Sequence, residues 1–265
     1  MSHALRDLRS SIVRTLLGVM LPALLLTAWW WSTDLAHYFT ENQLPPPERL
    51  LTALRELNRQ GDYSRHLLAS LRRVAFGFSA GAGIGVVLGT LVGLSKTLER
   101  IVDPTLQGLR SVPSLAWVPF LLLWLGIDEG PKITLIAIGA FFPVYVNLVS
   151  GIRQVDRKLV EVGEIFVLNT RERVVEIFLP AAVPYAMTGL RIGLGQAWLF
   201  LVAAELIAST RGLGFLLIDG QNNLRPDLML VSILTLALLG KSADSLLRLL
   251  ESKLLRWSDT FGDLR

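Results

Sequence analysis

The chain has 265 residues, 52% of them hydrophobic and 18% charged, with a mean hydropathy of +0.49 and a net charge of +4. A soluble domain carries close to one quarter charged residues, so the composition points away from a water-soluble fold and toward helices packed in lipid. The absence of cysteine excludes disulfides and thiolate metal sites, and the small basic excess is no nucleic-acid signal, because basic residues of membrane proteins sort to cytoplasmic loops.

Six candidate spans follow in chain order. The first covers 15–33, with Arg6, Arg9 and Arg14 before it and Trp29, Trp30 and Trp31 near its far end, where indole rings favour the interface. No small-residue cleavage site clearly follows this run, so it reads as a retained span. The second, 74–94, is the strongest and holds Gly77, Gly81, Gly85, Gly89 and Gly93 at intervals of four. Overlapping GxxxG units let another helix backbone approach closely, so the ladder is read as a packing face in preference to a substrate-lining one. The third, 112–127, is short and contains Pro113 and Pro119; the fourth, 133–152, contains Pro143. Proline at membrane depth implies bends whose freed carbonyls are satisfied by neighbours or water. The fifth runs over 187–208. The sixth, 228–247, has an uncharged core shorter than the roughly 20 residues needed to cross, so it requires Lys241 and Asp244 to be tolerated near its end.

With the amino terminus inside, the segments 1–14, 95–110, 153–185 and 241–265 are cytoplasmic and hold 16 Lys and Arg, against 9 in the outside segments 32–73, 128–132 and 209–227. This bias places both termini in the cytoplasm. At the carboxyl end, 243–258, Ala243, Leu246, Leu247, Leu250, Leu254 and Trp257 recur at helical spacing beside Arg248, Glu251, Lys253 and Arg256. Such an amphipathic tail either lies on the inner membrane surface or extends the sixth helix.

The cytoplasmic segment 153–185 is a polar island with five Lys or Arg and five Asp or Glu, yet Val155, Leu159, Val162, Ile165 and Phe166, then Val174, Val175, Ile177 and Phe178, keep helical spacing. Two short amphipathic helices here suit docking on a soluble partner. Glu161, Val162 and Gly163 open the stretch, and Ile177, Phe178, Leu179 and Pro180 close it. This pattern resembles the EAA loop of permease subunits of bacterial importers driven by a separate ATPase, in which a Glu-Ala-Ala start, a Gly six residues on and an Ile-x-Leu-Pro finish mark helices that fit a cleft in the ATPase. Val162 and Gly163 stand in place of the alanines and Val167 in place of the glycine. A β-branched residue resists positive φ, so the bend is expected at Asn169, with Glu172 completing a capping box and a second short helix starting at Thr170. The candidate coupling residues are Glu161, Val162, Gly163, Val167, Leu168, Asn169, Arg171, Ile177, Leu179 and Pro180.

The resemblance extends over most of the chain. The Leu44-Pro45-Pro46-Pro47 turn, an amphipathic external helix after it, Gly93-Leu94-Ser95, Val112-Pro113-Ser114, Trp124-Leu125-Gly126-Ile127, Thr188-Gly189-Leu190-Arg191, Glu205-Leu206-Ile207 and Gly212-Leu213-Gly214 are similar to permeases for aliphatic sulfonates, taurine and nitrate. The resemblance implies an all-α polytopic membrane protein with six transmembrane helices in one permease domain, 1–265, of the type I ABC importer fold, in a bacterial inner membrane. It implies a second permease subunit, most simply a copy of the same chain, two cytoplasmic ATPases carrying the ATP and Mg, and a periplasmic substrate-binding protein. Its implied cargo is a small anion: aliphatic sulfonate or taurine first, with nitrate, bicarbonate or a pyrimidine precursor of thiamine behind.

The chain itself holds no phosphate-cradling G-x-x-x-x-G-K-[ST] loop, no HExxH and no GxSxG, and His3, His37 and His66 lack metal-ligand spacing, so no catalytic residue, cofactor or metal is assigned to it. A stand-alone secondary transporter is the competing class, but no internal repeat supports it. Polar and aromatic residues within spans are the pathway candidates: Trp117, Tyr145, Asn147, Arg191, Gln196, Trp198 and Glu205. For Arg191, pairing with a loop acid or snorkelling is favoured over contact with an anion, and Glu205 is expected to brace the outer gate or to pair with Arg211 or the binding protein.

Overall fold

The computed structural model describes residues 20–255. Every regular element among them is helical: α1 over 20–30, α2 (Pro47–Gln60), α3 (Asp62–Leu94), α4 (Lys96–Ser111), α5 (Val118–Leu125), α6 (Glu129–Arg153), α7 (Arg157–Ile165), α8 (Thr170–Arg173), α9 (Leu179–Ala208), α10 (Leu213–Asn222) and α11 (Pro226–Leu254). The chain divides into two compact units, one made of residues up to Tyr63 with Leu216–Ile233, the other of Ser64–Phe215 with residues from Leu234 onward.

In the first unit, α2 starts on Pro47, whose missing N–H costs nothing in a first helical turn, and stops at Gly61, whose φ of 74° only glycine adopts freely. Leu50, Ala53 and Leu57 lie on one face and pack with Leu216, Leu228 and Val231. The Trp29 indole donates to the Pro45 carbonyl at 3.1 Å, and Arg225 joins Glu56 and Asp227 at 2.8 and 2.9 Å. The expected amphipathic helix after the proline turn is therefore present.

The second unit is organised around α6. A Cβ on Gly77 would stand 2.6 Å from Ile136, one on Gly85 3.0 Å from the Phe141 carbonyl, one on Gly89 3.2 Å from Leu148 and one on Gly93 2.9 Å from Ile152, while Gly81 lies directly against the Ala137 carbonyl. The five ladder glycines thus all face α6, whereas Gly83, off the ladder, meets nothing within 4 Å. Because Gly77 faces Ile136 and Gly93 faces Ile152, both helices advance together, and α3 and α6 run parallel. The adjoining flank of α6 receives α9 the other way round: Gly189 sits against Asn147 and Gly193 against the Ala140 carbonyl. Leu135, Ile136, Ala140, Ala197, Leu201 and Ala204 fill the shared core.

Residues 95–128 connect these two parallel helices as α4 and the stretch Ser114–Leu125, which together are long and apolar enough to cross a membrane but are bent by 90° at their junction. The segment 95–110, expected as a cytoplasmic connection, is thus itself helical. Its amphipathic composition hid it from a hydropathy reading, and Ser95 caps it by accepting from the Leu98 N–H at 3.3 Å. Among the described residues, four single helices are apolar and long enough to span, Asp62–Leu94, Glu129–Arg153, Thr170–Ile207 and Pro226–Leu254, and five if the bent pair counts as one. Part of the expected first span, 15–33, lies outside the described residues; within them it is helical over 20–30 and continues as a wider turn, Trp31–Leu35.

The carboxyl-terminal pattern extends the last span without a break, as α11 reaches Leu254. Ala243 and Leu247 pack against the core, and Asp244 is accommodated by Arg191 and Arg248 at 3.2 and 3.0 Å. Arg256, Trp257 and the end of the expected tail lie outside the described residues.

Candidate functional site

Three clusters of polar side chains stand out in the second unit, and the first is the segment 153–185. Asp156 caps α7 by accepting from the Lys158 N–H at 2.9 Å. The helix ends in a left-handed turn: the Val167 N–H donates to the Glu164 carbonyl and the Leu168 N–H to the Gly163 carbonyl, both at 3.0 Å, with Val167 at φ 55°. This pair of bonds is a Schellman closure, which glycine usually provides. The expectation that Val167 would refuse positive φ and pass the bend to Asn169 is thus corrected. The two closing hydrogen bonds and the contact of Leu168 over Gly163 hold the strained residue, which projects into solvent.

Asn169 then caps α8. Its side chain accepts from the Glu172 N–H at 3.0 Å and Glu172 accepts from the Asn169 N–H at 2.8 Å, the reciprocal capping box expected of these residues. Next comes a wide turn over Val174–Phe178, closed by the Leu179 N–H on the Val174 carbonyl, and Pro180 falls in the first turn of α9, where its missing N–H is harmless. Ile177 folds back over Gly163, and Arg173 donates to the Leu168 carbonyl at 3.0 Å and to Glu164 at 3.4 Å. These contacts join the two halves of the segment. Glu161 is held by Arg157 one turn away at 3.0 Å, Arg171 is exposed, and Ile165, Phe166 and Val167 are 77%, 73% and 86% exposed on the same rim.

The second cluster ties the start of α3 to the start of α6 and the end of α9. Arg73 forks onto Glu129 at 2.6 and 2.7 Å, and its other amino group donates to Glu205 at 2.7 Å and to the Arg211 carbonyl at 2.6 Å. Glu205, fully buried, also accepts from the Ser70 hydroxyl at 2.8 Å and the Gly214 N–H at 2.7 Å, while Ser70 accepts from the Leu213 N–H at 2.8 Å. Lys132 adds a contact to Glu129 at 3.2 Å. A buried carboxylate is tolerable only with its lone pairs filled, and here they are. The expected pairing of Glu205 with the Arg211 side chain is replaced by Arg73, because Arg211 presents its carbonyl to the cluster. Sequence reading missed Ser70, Arg73 and Glu129; the one available signal was an arginine just ahead of a long apolar run.

The third cluster borders a cavity of about 330 Å³ beside the middle of α6 and α9, lined by Asn147 and Gln196 among others. Tyr145 belongs to a neighbouring cavity and donates to Asp103 at 2.8 Å. Trp117 and Trp198 pack against the core. Arg191 faces Asp244 and Glu251 of α11 at 3.2 and 3.3 Å instead of a loop acid. Of the seven pathway candidates, therefore, Asn147 and Gln196 share one cavity and the other five lie elsewhere.

The profile of the family described as "Binding-protein-dependent transport system inner membrane component" matches residues 81–256. The chain belongs to this family and is a membrane permease subunit of a binding-protein-dependent ABC importer. It is 42% identical to the putative aliphatic sulfonates transport permease SsuC of Bacillus subtilis, over 92% of this chain and 88% of the relative. It is 36% identical to the taurine transport system permease TauC of Escherichia coli, over 89% and 87%, and 39% identical to the nitrate import permease NrtB of Synechocystis, over 70% and 68%. The fold matches a chain of the inward-facing MetNI methionine ABC transporter with a TM-score of 0.56 at 18% identity, over 69% of this chain and 93% of that one.

Proposed function

We propose that the chain imports small aliphatic sulfonates, taurine among them, as one of two identical permease subunits. In this reading the whole chain is one permease domain with six spans, the first at 15–33, and both termini lie in the cytoplasm of a bacterial inner membrane. Two cytoplasmic ATPases bind and hydrolyse ATP with Mg, a periplasmic protein delivers the substrate, and the chain itself performs no covalent chemistry. ATP-driven closure of the ATPases moves the paired 153–185 segments and switches the passage between outward- and inward-facing states.

The observation that carries the coupling role is the solvent-facing apolar rim of Val162, Ile165, Phe166 and Val167 at the end of α7, a capped helix locked through Gly163 to Ile177 in the turn that follows α8. A rigid lever with an apolar tip is what a soluble motor subunit can grip. Glu161, Leu168, Asn169, Arg171, Leu179 and Pro180 shape the same lever. The sulfonate assignment is supported by the sulfonate and taurine permeases matched over about nine tenths of the chain. Nitrate is the second reading, favoured by the likeness to NrtB. Proteoliposomes containing permease, ATPase and binding protein separate the two: ATP-dependent uptake of labelled taurine or ethanesulfonate supports the first, and uptake of nitrate alone replaces it.

A further inference from the structure

The cavity beside α6 and α9 has the features of a ligand site. It lies at mid-length of both helices, between residues 138 and 147 of the one and 192 and 200 of the other, and Arg110 and Ser114, near the bend that follows α4, complete its lining. Its lining is mixed. Arg110, Ser114, Asn147 and Gln196 supply polar groups, and Phe142 and Ile192 are among its apolar side chains.

Among the described residues no carboxylate lies within ion-pair distance of Arg110, which is exposed near the end of α4. Asp103, the acid of the adjoining cavity, is taken by Gln107 and Tyr145. A guanidinium without a counter-charge beside apolar helices favours water or an anion. Arg110 borders both this cavity of about 330 Å³, which has room for a small organic molecule, and the adjoining one that holds Asp103.

We propose that Arg110 and Ser114 receive the sulfonate head of a short alkanesulfonate in this cavity, with its alkyl tail against Phe142 and Ile192 and with Asn147 and Gln196 as polar flanks. The guanidinium fork matches two oxygens of a sulfonate, and the hydroxyl of Ser114 donates to the third. The apolar wall separates an alkanesulfonate from a bare inorganic anion of equal charge. This site rests on the sulfonate-import reading, and it places a selective element in the permease itself.

The chain lacks cysteine, so a single Val146→Cys reporter on the cavity wall can be read without background from this subunit. In the assembled transporter, butanesulfonate is expected to slow labelling of Cys at 146 by N-ethylmaleimide at least fivefold, with nitrate needing a concentration at least tenfold higher. Arg110→Gln should abolish the protection, Arg110→Lys should retain it at higher butanesulfonate concentration, and Ser114→Asp should abolish it by supplying Arg110 with a carboxylate. Protection that is absent in the Arg110 protein, or undiminished in Arg110→Gln and Ser114→Asp, overturns the site. Equal protection by nitrate and butanesulfonate overturns the role of the apolar wall. Uptake measured in the same preparation keeps the two readings apart: a transporter that moves sulfonates but shows no such protection retains its function and loses the site, whereas one that moves no sulfonate loses the function whatever the labelling shows.

Discussion

The Cδ1 atom of Ile177 stands 2.6 Å from where a Cβ on Gly163 would lie, so the glycine of α7 is the seat of the isoleucine that precedes α9. The atom in the way is the free end of a flexible side chain. Gly163→Ala is therefore expected to be accepted after a small rotation of Ile177, within about 1 kcal/mol, while Gly163→Leu separates the two halves of the lever at a cost of about 1–3 kcal/mol. Transport should follow the same order with membrane insertion unchanged, as measured by uptake normalised to permease content.

Val167 occupies a left-handed conformation that costs a β-branched residue on the order of 1–3 kcal/mol. Val167→Gly removes the strain and is expected to stabilise the turn by about 1 kcal/mol after the larger chain entropy of glycine is charged against it. Amide exchange at Leu168, whose N–H closes the turn, should slow by about fivefold; faster exchange would contradict the assigned geometry.

The glycine ladder predicts a positional contrast on one helix. Gly81 abuts the Ala137 backbone, which has no side chain to move aside, and Gly83 faces open space. Gly81→Ala should destabilise the protein by about 1–3 kcal/mol or more, Gly85→Leu should prevent assembly, and Gly83→Ala should be neutral. Thermal unfolding in detergent and the yield of monodisperse protein measure this.

Arg73 and Glu205 have side chains only 4% and 0% exposed. Arg73→Gln leaves the Glu205 carboxylate buried without its cation, and the expected loss is about 3–5 kcal/mol. Glu205→Gln keeps the shape and an acceptor for Ser70, so it is expected to lose less. A combined variant less destabilised than the sum of the two singles would measure their coupling in a double-mutant cycle.

The elements built from local pattern were readable in the sequence. The glycine ladder pointed to a packed helix, Asn169 and Glu172 to a capping box, and Glu161 to Pro180 to a two-helix segment, because each depends on neighbours within a few residues. What depended on distant partners was not readable. Nothing near Glu205 in sequence names Arg73 or Ser70, and nothing near Arg191 names Asp244 or Glu251. At Val167 the φ preference of a β-branched residue points away from a turn, and two closing hydrogen bonds that no local pattern announces override it. The helix that carries the expected span 74–94 begins earlier, at Asp62, because Arg72 and Arg73 end the apolar run but not the helix. The helix α4 escaped for the complementary reason: its apolar residues fall on one face and dilute the average hydropathy.

The segment carrying Glu161, Phe166 and Ile177 is the proposed grip of the ATPase. The most direct test is capture of the cognate ATPase by the detergent-solubilised permease, native against a Glu161→Ala, Phe166→Asp double variant. Both side chains face solvent, so the fold should survive the exchange, and an unchanged thermal transition verifies that. Native permease is expected to retain the ATPase and the variant to lose it, whereas equal capture by both would show that this segment is not the grip.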